Sequence, residues 1–159
     1  DMRSAILHKF ERAIISDSTA EQKQRMNFII VGGGPTGVEL AGALAKIRKN
    51  VLPHDYRELK GENMEIHLIE GSGRLLAAMS EKASRLAKKY LEGDGVKVWL
   101  NALVQNFDGD ELLLSNGEKI KTDNIIWAAG VKGATIDGIS AESIVKGCLL
   151  YTSDAADKQ

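Results

Sequence analysis

The chain has 159 residues, 43% of them hydrophobic, which is enough for one buried core with appended segments. Its 21 Lys and Arg residues nearly balance its 22 Asp and Glu residues, so charge gives no reason to expect a nucleic-acid partner. No apolar run reaches the roughly 20 residues of a membrane span and the histidines show no ligand spacing, so we expect a cytoplasmic protein without a metal site.

The first elements in chain order are a helix and a strand. Apolar residues recur at helical spacing over residues 2–15 and predict an amphipathic helix that needs an apolar surface to pack against. The polar residues 16–26 predict a linker. Residues 27–31 form a short apolar run typical of a buried strand. Residues 36–48 are apolar almost all round, which indicates a helix packed between a sheet and other structure.

Strands and helices then alternate before a run of short strands. Residues 64–69 and 96–100 predict two strands, and Ser80 can cap a helix between them that ends near residue 92. Because helical crossovers join these strands, the three strands should be parallel. Asp-Gly and Asn-Gly turns then separate three short runs and predict an antiparallel meander. The meander strands are residues 102–107, 111–115 and 118–121, and a last strand covers residues 124–127.

A glycine-rich segment follows the first strand and fits the pattern G-x-G-x-x-G in the strand–turn–helix context that this pattern requires. Such glycines permit a tight turn, let a phosphate approach the main chain and let the helix pack closely on the strand. The free N–H groups and dipole of the helix then favour an anion. We therefore expect a Rossmann-like α/β fold with an inserted three-stranded meander, preceded by an amphipathic helix. The residues expected to bind the diphosphate of a dinucleotide are Gly32, Gly33, Gly34, Pro35, Thr36 and Gly37.

Glu70 ends the second strand, followed by Gly71 at a turn. A carboxylate there can accept hydrogen bonds from the ribose 2′-hydroxyl of NADH and repel the 2′-phosphate of NADPH, so the sequence favours NADH. The spacing from Gly37 to Glu70 exceeds the usual ~20 residues, and we assign the excess to an insertion around residues 51–61. Arg74 is either a partner for a 2′-phosphate or a solvated side chain.

Two further positions lie where the nicotinamide would reach. Glu39, the candidate catalytic residue, is either an acid in the first turn stabilised by the helix dipole or a side chain beside the nicotinamide. Ala128, Ala129 and Gly130 are either a dense packing point or a ledge of small residues under the cofactor. Their position at the carboxyl end of a strand, where ligands of such sheets bind, favours the ledge.

With these residues located, the chain resembles type II NADH:quinone oxidoreductases of the pyridine nucleotide-disulfide oxidoreductase superfamily. The resemblance spans roughly residues 2–147 and rests on the segments FIIVGGGPTGVELAGALA, IHLIEGSGRLL and IIWAAGVKGATI. It implies an NADH-binding domain inserted in an FAD-binding domain, with hydride passing from NADH to FAD and electrons then reaching a quinone at the membrane. Glu39 and the Ala129–Gly130 segment would then lie near the nicotinamide and the flavin.

The resemblance also divides the chain. Residues 1–25 are expected to be an approach helix and linker from the FAD-binding domain, residues 26–130 the NADH-binding domain, and residues 131–147 the return segment. Residues 148–159 do not continue the periodicity, and we interpret them as a non-native tail. Because no second G-x-G-x-x-G and no amphipathic membrane anchor follow, we expect a piece of a longer flavoprotein that binds NADH without FAD and without turnover.

Alternatives remain for the electron acceptor and for the role of the piece. The runner-up is the same domain of another flavoprotein reductase, with a ferredoxin or disulfide acceptor. A different class is an NADH-binding module without catalysis. The parent protein is expected peripherally on the cytoplasmic membrane. Without the FAD-binding domain, Met2, Ile6 and Phe10 would lose their partners, which predicts exposed apolar surface and a tendency to associate.

Overall fold

The computed structural model describes residues 1–130 in full and the backbone of residues 144–145 and 148–149. The chain divides into two compact units, residues 1–129 and residues 130–159. The first unit includes residues 26–129 of the predicted NADH-binding domain, together with the predicted approach helix and linker. In the second unit, the only pairing among the described residues is an antiparallel ladder of two short strands. The rest of the predicted return segment and tail lies outside the described residues.

In the first unit, helices separate the first three strands, as predicted, and four more strands follow. The helices are α1 (Met2–Ile14), α2 (Thr19–Arg25), α3 (Pro35–Lys46), α4 (Leu52–Asp55) and α5 (Glu81–Gly93). The strands are β1 (Phe28–Val31), β2 (Ile66–Ile69), β3 (Lys97–Trp99), β4 (Val104–Phe107), β5 (Glu111–Leu114), β6 (Lys119–Lys121) and β7 (Asn124–Trp127). The two strands of the second unit are β8 (Ile144–Val145) and β9 (Cys148–Leu149).

Four of these strands form a parallel sheet in the order β3-β2-β1-β7, and three form a separate antiparallel sheet in the order β4-β5-β6. Phe28 of β1 lies opposite Ile66 of β2 and opposite Asn124 of β7. Helices α3 and α5 provide the crossovers that make the first three strands parallel. The predicted fold, a parallel βαβαβ sheet with an inserted three-stranded meander after an amphipathic helix, is confirmed.

The two central strands of the parallel sheet, β1 and β2, are buried on both faces because each face meets a different partner. Side chains alternate along β1. Phe28 and Ile30 pack with residues of α1, α3 and α5, whereas Ile29 and Val31 pack with the meander strands β5 and β6. The uniformly apolar sequence of β1 is explained by this double burial.

Helix α1 packs into the first of these clusters. Phe10 is fully buried, with its ring edge-on to Phe28 and Tyr56 at centroid distances of 5.8 and 5.5 Å. Ile6 is buried as well. The expectation that Ile6 and Phe10 would lose their partners is therefore wrong, because the same chain supplies the apolar surface. Met2 is 51% exposed, as expected.

Residues 19–25, predicted as part of a linker, form helix α2. Its first turn is capped twice: the Glu21 N–H donates to Ser18 Oγ at 3.2 Å, and the Glu21 carboxylate accepts from the Asp17 N–H at 3.1 Å. Arg25 pairs with Glu21 one turn later. Because the helix buries none of its residues, its sequence shows no periodic apolar stripe. The spacing of Ser18 and Glu21, typical of a capping box, is the signal that could have found it.

The expected insertion around residues 51–61 begins as helix, up to residue 55, and continues as a loop. Helix α3 continues through a π-helical turn, Ile47–Val51, into α4. The Arg48 guanidinium ties this extension to the rest of the unit by donating to the carbonyl groups of Met64 and Gly95, each at 3.2 Å. This extra helical structure accounts for the long spacing between the glycine pattern and Glu70.

Candidate functional site

The glycine turn, residues 32–37, connects β1 to α3 at the carboxyl edge of the parallel sheet. Gly32 has a φ of +115°, a conformation that side chains rarely adopt. Its N–H donates to the carbonyl of Ile69 at 2.8 Å, which fixes the turn to the end of β2. Gly34 is the N-cap of α3, and no side chain accepts a hydrogen bond from the N–H groups of the first helical turn.

Three glycines of the turn differ in what surrounds them. A Cβ on Gly37 would lie 1.8 Å from the carbonyl oxygen of Gly32, so the helix and strand end meet through bare backbone. A Cβ on Gly32 would lie 2.7 Å from the backbone nitrogen of Ala129. A Cβ on Gly34, in contrast, would meet no heavy atom within 4 Å. The turn is therefore closely packed at both ends and open at Gly34.

Glu70 extends from the end of β2 to the glycine turn. Its Oε2 accepts the Gly33 N–H at 2.6 Å, and its Oε1 accepts the Ser72 N–H at 2.7 Å. Burial alone would raise the pKa of the Glu70 carboxyl, but the hydrogen bonds from Ser72 and Gly33 hold that pKa below its usual value. The structure thus places the predicted ribose ligand in direct contact with the turn.

The loop after β2 holds Gly33 from its other side. The Leu76 N–H donates to the Gly33 carbonyl at 2.8 Å, with Leu76 in the left-handed region at a φ of +50°. A Cβ on Gly33 would lie 2.7 Å from Leu75 Cδ2 and 2.9 Å from Glu70 Oε2. Sequence reasoning missed this clamp because the glycine pattern leaves its second position free. The only available signal was Gly33 itself, a glycine at a position where the pattern accepts any residue.

Arg74 belongs to the same loop. Its Nη2 donates to the carbonyl of Ala77 at 2.6 Å, so at least one of its donors stabilises the loop itself. This contact gives the side chain a structural role, and pairing with a 2′-phosphate stays a prediction. Gly71 is exposed, and a Cβ there would lie 2.6 Å from Leu103 Cδ2.

The other predicted residues of helix α3 lie on its first two turns. Pro35 and Thr36 are exposed beside the open side of the turn, and Glu39 is exposed one turn later. The structure therefore brings Glu39 to the carboxyl edge of the sheet with its side chain accessible. Its suggested place beside the nicotinamide stays a prediction.

The segment after β7 lies against the glycine turn. The Ala128 N–H donates to the Val31 carbonyl at 2.8 Å, and the main chain of Ala128 and Ala129 contacts Gly32. Ala129 is nevertheless exposed. The segment packs densely against the turn, and its role as a ledge under the cofactor stays a prediction. Gly130 begins the second unit.

This edge of the sheet contains a topological switch point. From β1 the chain crosses to β2 and β3 on one side, and it later returns to β7 on the other side. Ligands of open α/β sheets bind at such a point, in the crevice outside the carboxyl ends of the strands. Here the glycine turn and residues 128–129 meet at the switch point.

A second polar cluster occupies the opposite, amino edge of the sheet, beside a cleft of about 410 Å³. His67 is buried there, stacked on Trp99 with ring centroids 6.0 Å apart. The Trp99 Nε1–H donates to His67 Nδ1 at 3.1 Å, and His67 Nε2 lies 3.2 Å from Glu65 Oε2. Burial lowers the pKa of His67. This cluster was not predicted as a site.

Two properties concern metals and membranes. Within residues 1–130, no group of three or more His, Cys, Asp and Glu side chains is arranged to hold a metal ion. In the same described part, no helix combines the length and apolar character needed to cross a bilayer.

Residues 5–144 match the profile of the pyridine nucleotide-disulphide oxidoreductase family. The chain belongs to this family. It is 32% identical over 146 residues to the type II NADH:quinone oxidoreductase NdhA of Mycobacterium tuberculosis, covering 89% of this chain and 31% of that protein. It is 33% identical over 140 residues to the type II NADH:quinone oxidoreductase of Haemophilus influenzae, covering 83% of this chain and 32% of that protein.

A solved structure supports the same relationship. The structure of NDH2 from Plasmodium falciparum in complex with NADH superposes with a TM-score of 0.75 at 25% identity, over 81% of this chain and 27% of that one. The chain spans about a third of the length of the curated relatives named above. The resemblance to type II NADH:quinone oxidoreductases, drawn from three segments of sequence, is therefore confirmed.

Proposed function

We propose that residues 26–130 are the NADH-binding domain of an FAD-dependent NADH:quinone oxidoreductase, which passes hydride from NADH to FAD and electrons on to quinone. The observation that carries this proposal is the hydrogen bond between Glu70 and the Gly33 N–H. It joins the predicted ribose ligand to the predicted diphosphate cradle at one edge of the sheet. The names of the relatives, and NADH in one solved relative, support the choice of ligand.

The diphosphate fits the open side of the glycine turn. Helix α3 begins without a side-chain cap, so the N–H groups of Thr36 and Gly37 have no partner within the helix. The helix dipole adds favourable charge for an anion at this end. Because no heavy atom lies near the missing Cβ of Gly34, phosphate oxygens can approach the main chain there.

The adenosine ribose fits Glu70. Each carboxylate oxygen accepts one backbone N–H and retains capacity for a further donor, which a ribose hydroxyl can supply. The lowered pKa of Glu70 keeps the carboxylate charged at neutral pH, and this charge repels the 2′-phosphate of NADPH. We therefore propose that the domain prefers NADH to NADPH.

The nicotinamide half of the ligand would cross the switch point towards residues 128–129. Glu39 is exposed on the helix beside this path and is our candidate for a side chain near the nicotinamide. FAD supplies the hydride acceptor when bound, and we propose that residues outside 26–130 hold it. The role of residues 26–130 is to bind and orient NADH.

The acceptor and location of the whole protein are part of the proposal. The curated relatives are named NADH:quinone oxidoreductases, which favours quinone over a ferredoxin or disulfide acceptor. We propose that the whole protein works peripherally on the cytoplasmic membrane. An NADH-binding module without turnover is our proposal for the 159-residue chain alone.

Substitution at Gly34 tests the binding proposal. The φ of Gly34 is −73°, and its surroundings are open, so Gly34→Ala should fold normally. Its methyl group would nevertheless occupy the approach of the diphosphate. We expect isothermal titration to show NADH binding by the natural chain and a loss of at least about tenfold in Gly34→Ala, a cost of roughly 1.4 kcal/mol.

The matched control is Gly93→Ala, which also adds a methyl group in open space, at the end of α5. It should bind NADH as the natural chain does. Equal affinity of Gly34→Ala and the natural chain would contradict the proposed cradle. The visible spectrum of the purified chain distinguishes the two forms of the proposal. A colourless protein that binds NADH supports the module, whereas flavin absorption bleached by NADH contradicts it.

A further inference from the structure

The outer face of helix α5 combines positive charge with exposed apolar side chains. Residues three and four apart share one face of a helix, and five exposed residues recur at this spacing. We call them the α5 stripe: Lys82, Arg85, Leu86, Lys89 and Tyr90. Leu86 is 40% exposed and Tyr90 is 67% exposed.

The opposite face of α5 holds the helix firmly in the fold. Leu91 belongs to the apolar cluster between the sheet and the helices, and Ala87 packs against that cluster. Ser84 is buried as well. A Cβ on Gly42 of α3 would lie 3.9 Å from Leu91 Cδ2, so the two helices are in contact. Because the helix is fixed on this side, the α5 stripe faces outward and little conformational freedom of its backbone is lost when a partner binds.

The charge of the α5 stripe is positive because the carboxylates of the helix lie at its two ends. Glu92 accepts a hydrogen bond from Lys88, which neutralises it. Glu81 lies 3.9 Å from Arg85, and both side chains are so exposed that this pair is weak. Within residues 1–130, Lys82 and Lys89 form no ion pair. The whole chain has a net charge of −1, so the positive charge is a local property of this face.

The apolar members distinguish the α5 stripe from an ordinary solvated helix face, which is polar throughout. Leu86 and Tyr90 lie one turn apart, with cationic side chains before and between them. Lysine and arginine extend their charged ends away from apolar stems, and tyrosine suits a boundary between apolar and aqueous surroundings. A bilayer with anionic lipids offers both requirements, because its head groups attract cations and its head-group boundary accepts apolar side chains.

We propose that the α5 stripe binds the surface of an anionic phospholipid bilayer. This inference rests on the proposed function, because it deepens the peripheral location proposed for the whole protein and names a surface of the nucleotide domain that meets the lipid. The stripe is about 12 Å long, close to the Debye length of about 10 Å in 0.1 M salt, so its cations act together on a flat charged surface. An acidic protein surface would satisfy the cations but not the two apolar side chains.

The test measures sedimentation of the 159-residue chain with lipid vesicles. We expect binding to phosphatidylcholine vesicles that contain phosphatidylglycerol, weaker binding as salt is added, and little binding to phosphatidylcholine alone. A triple variant, Lys82→Gln with Arg85→Gln and Lys89→Gln, should lower the partition coefficient by about 100-fold, since each basic residue near an anionic surface contributes about fivefold.

The matched control makes the same change in net charge on other elements. It replaces three exposed lysines of α2 and β6, by Lys23→Gln, Lys119→Gln and Lys121→Gln. We expect this control to bind the anionic vesicles far more tightly than the α5 triple variant does. Equal binding by the two triple variants would show that net charge, and not the α5 stripe, determines the attraction, and it would overturn the proposal.

A second variant tests the apolar members while all cations remain. Leu86→Ser with Tyr90→Ser should weaken binding to anionic vesicles and leave its salt dependence in place. Unchanged binding by this variant would contradict a membrane and favour an acidic protein as the partner. In the natural chain, spin-labelled lipids should broaden the amide NMR signals of α5 before those of α2. No binding to anionic vesicles at low salt, or equal binding to both kinds of vesicle, would also overturn the proposal.

NADH titration separates this inference from the proposed function. All variants of the α5 stripe should bind NADH as the natural chain does, because the stripe lies outside the glycine turn and Glu70. A natural chain that binds NADH but no anionic vesicle removes only the assignment of the α5 stripe. If the natural chain binds anionic vesicles but not NADH, the proposed function fails instead.

Discussion

Two carboxylates flank strand β2, Glu65 before it and Glu70 after it, and they differ in their partners. Glu70 accepts hydrogen bonds from the backbone N–H groups of Gly33 and Ser72. Glu65 binds side chains instead, Lys97 at 2.8 Å and His67 at 3.2 Å. For both, burial would raise the pKa of the carboxyl, yet hydrogen bonds hold it below its usual value.

The difference in partners separates two kinds of site. Backbone donors are lost only on substitution by proline, and they hold the Glu70 carboxylate against the glycine turn with capacity for a further donor. Side-chain donors at the amino edge complete one another instead: Trp99 donates to His67, and Lys97 neutralises Glu65. The Glu70 carboxylate thus retains capacity for an external donor, which we propose is the ligand, whereas the side chains of the amino-edge cluster bind one another.

The largest effect on stability is expected at Gly37, where the carboxyl edge of the sheet has no space for a side chain. Gly37→Ala would place a methyl group 1.8 Å from the Gly32 carbonyl oxygen. Because the clashing atom belongs to the backbone, no side chain can move aside to relieve the clash. We expect the free energy of unfolding to fall by about 3 kcal/mol or more, measured by urea denaturation. Gly93→Ala is the matched control and should be neutral or slightly stabilising. A Gly37→Ala variant as stable as the natural chain would mean that the turn is less closely packed than described.

The next effect concerns the contact between Glu70 and the turn. In Glu70→Gln, the amide nitrogen must face either the Gly33 N–H or the Ser72 N–H, so two donors oppose each other. We expect a loss of stability of about 1–2 kcal/mol, measured by denaturation. Titration should show weaker binding of NADH and a smaller preference for NADH over NADPH, because the neutral amide does not repel the 2′-phosphate. A change in preference between the two cofactors without loss of stability would show that Glu70 reads the ribose but does not hold the turn.

The contacts of Glu70 also show which parts of the candidate site could be predicted from the sequence. The glycine spacing and the carboxylate after the second strand are local patterns, and they were enough to indicate the fold and to bring Gly32, Gly34 and Glu70 to one edge. The contact of Glu70 with Gly33 and the bond from Leu76 depend on the path of a loop without regular structure. The path of such a loop leaves no periodic pattern in the sequence, so these contacts could not be predicted.

Other differences follow from tertiary context. Helix α2 was missed because it buries no residue and so lacks an apolar stripe. The burial of Ile6 and Phe10 was not anticipated because a helix pattern shows which face needs a partner but not where the partner lies. The His67–Trp99 pair joins residues on adjacent strands, and only the register of β2 with β3 brings them together.

A smaller effect is expected at the amino edge, as a dependence of stability on pH. The pKa of His67 is lowered in the folded state, mainly by burial, so the unfolded chain binds the proton more readily. The contribution of His67 is therefore fully present above its unfolded pKa of about 6.5 and is lost as the pH falls below that value. We expect urea denaturation between pH 7.5 and pH 5.5 to show stability falling by at most about 1.4 kcal/mol per pH unit from this group.

The control for this prediction is His67→Gln, which removes the titrating group and should flatten the slope in that range. Trp99 provides a second reading, because protonation of His67 Nδ1 would break the hydrogen bond from the indole N–H. An identical slope in the natural chain and in His67→Gln would assign the pH dependence to other groups.

The smallest effect is expected from substitution of Lys97. This substitution tests whether the charge of Lys97 contributes to the stability of the amino edge. Lys97 and Glu65 are about half exposed, so Lys97→Gln should cost at most about 1 kcal/mol at neutral pH. The positive charge of Lys97 also helps to lower the pKa of His67. Its removal should therefore raise the pKa of His67 in the folded state towards the unfolded value. Stability should then be lost over a narrower range of pH below neutrality. If denaturation shows the same pH profile in Lys97→Gln and the natural chain, the charge of Lys97 does not contribute to the pKa of His67, and burial and Glu65 set it.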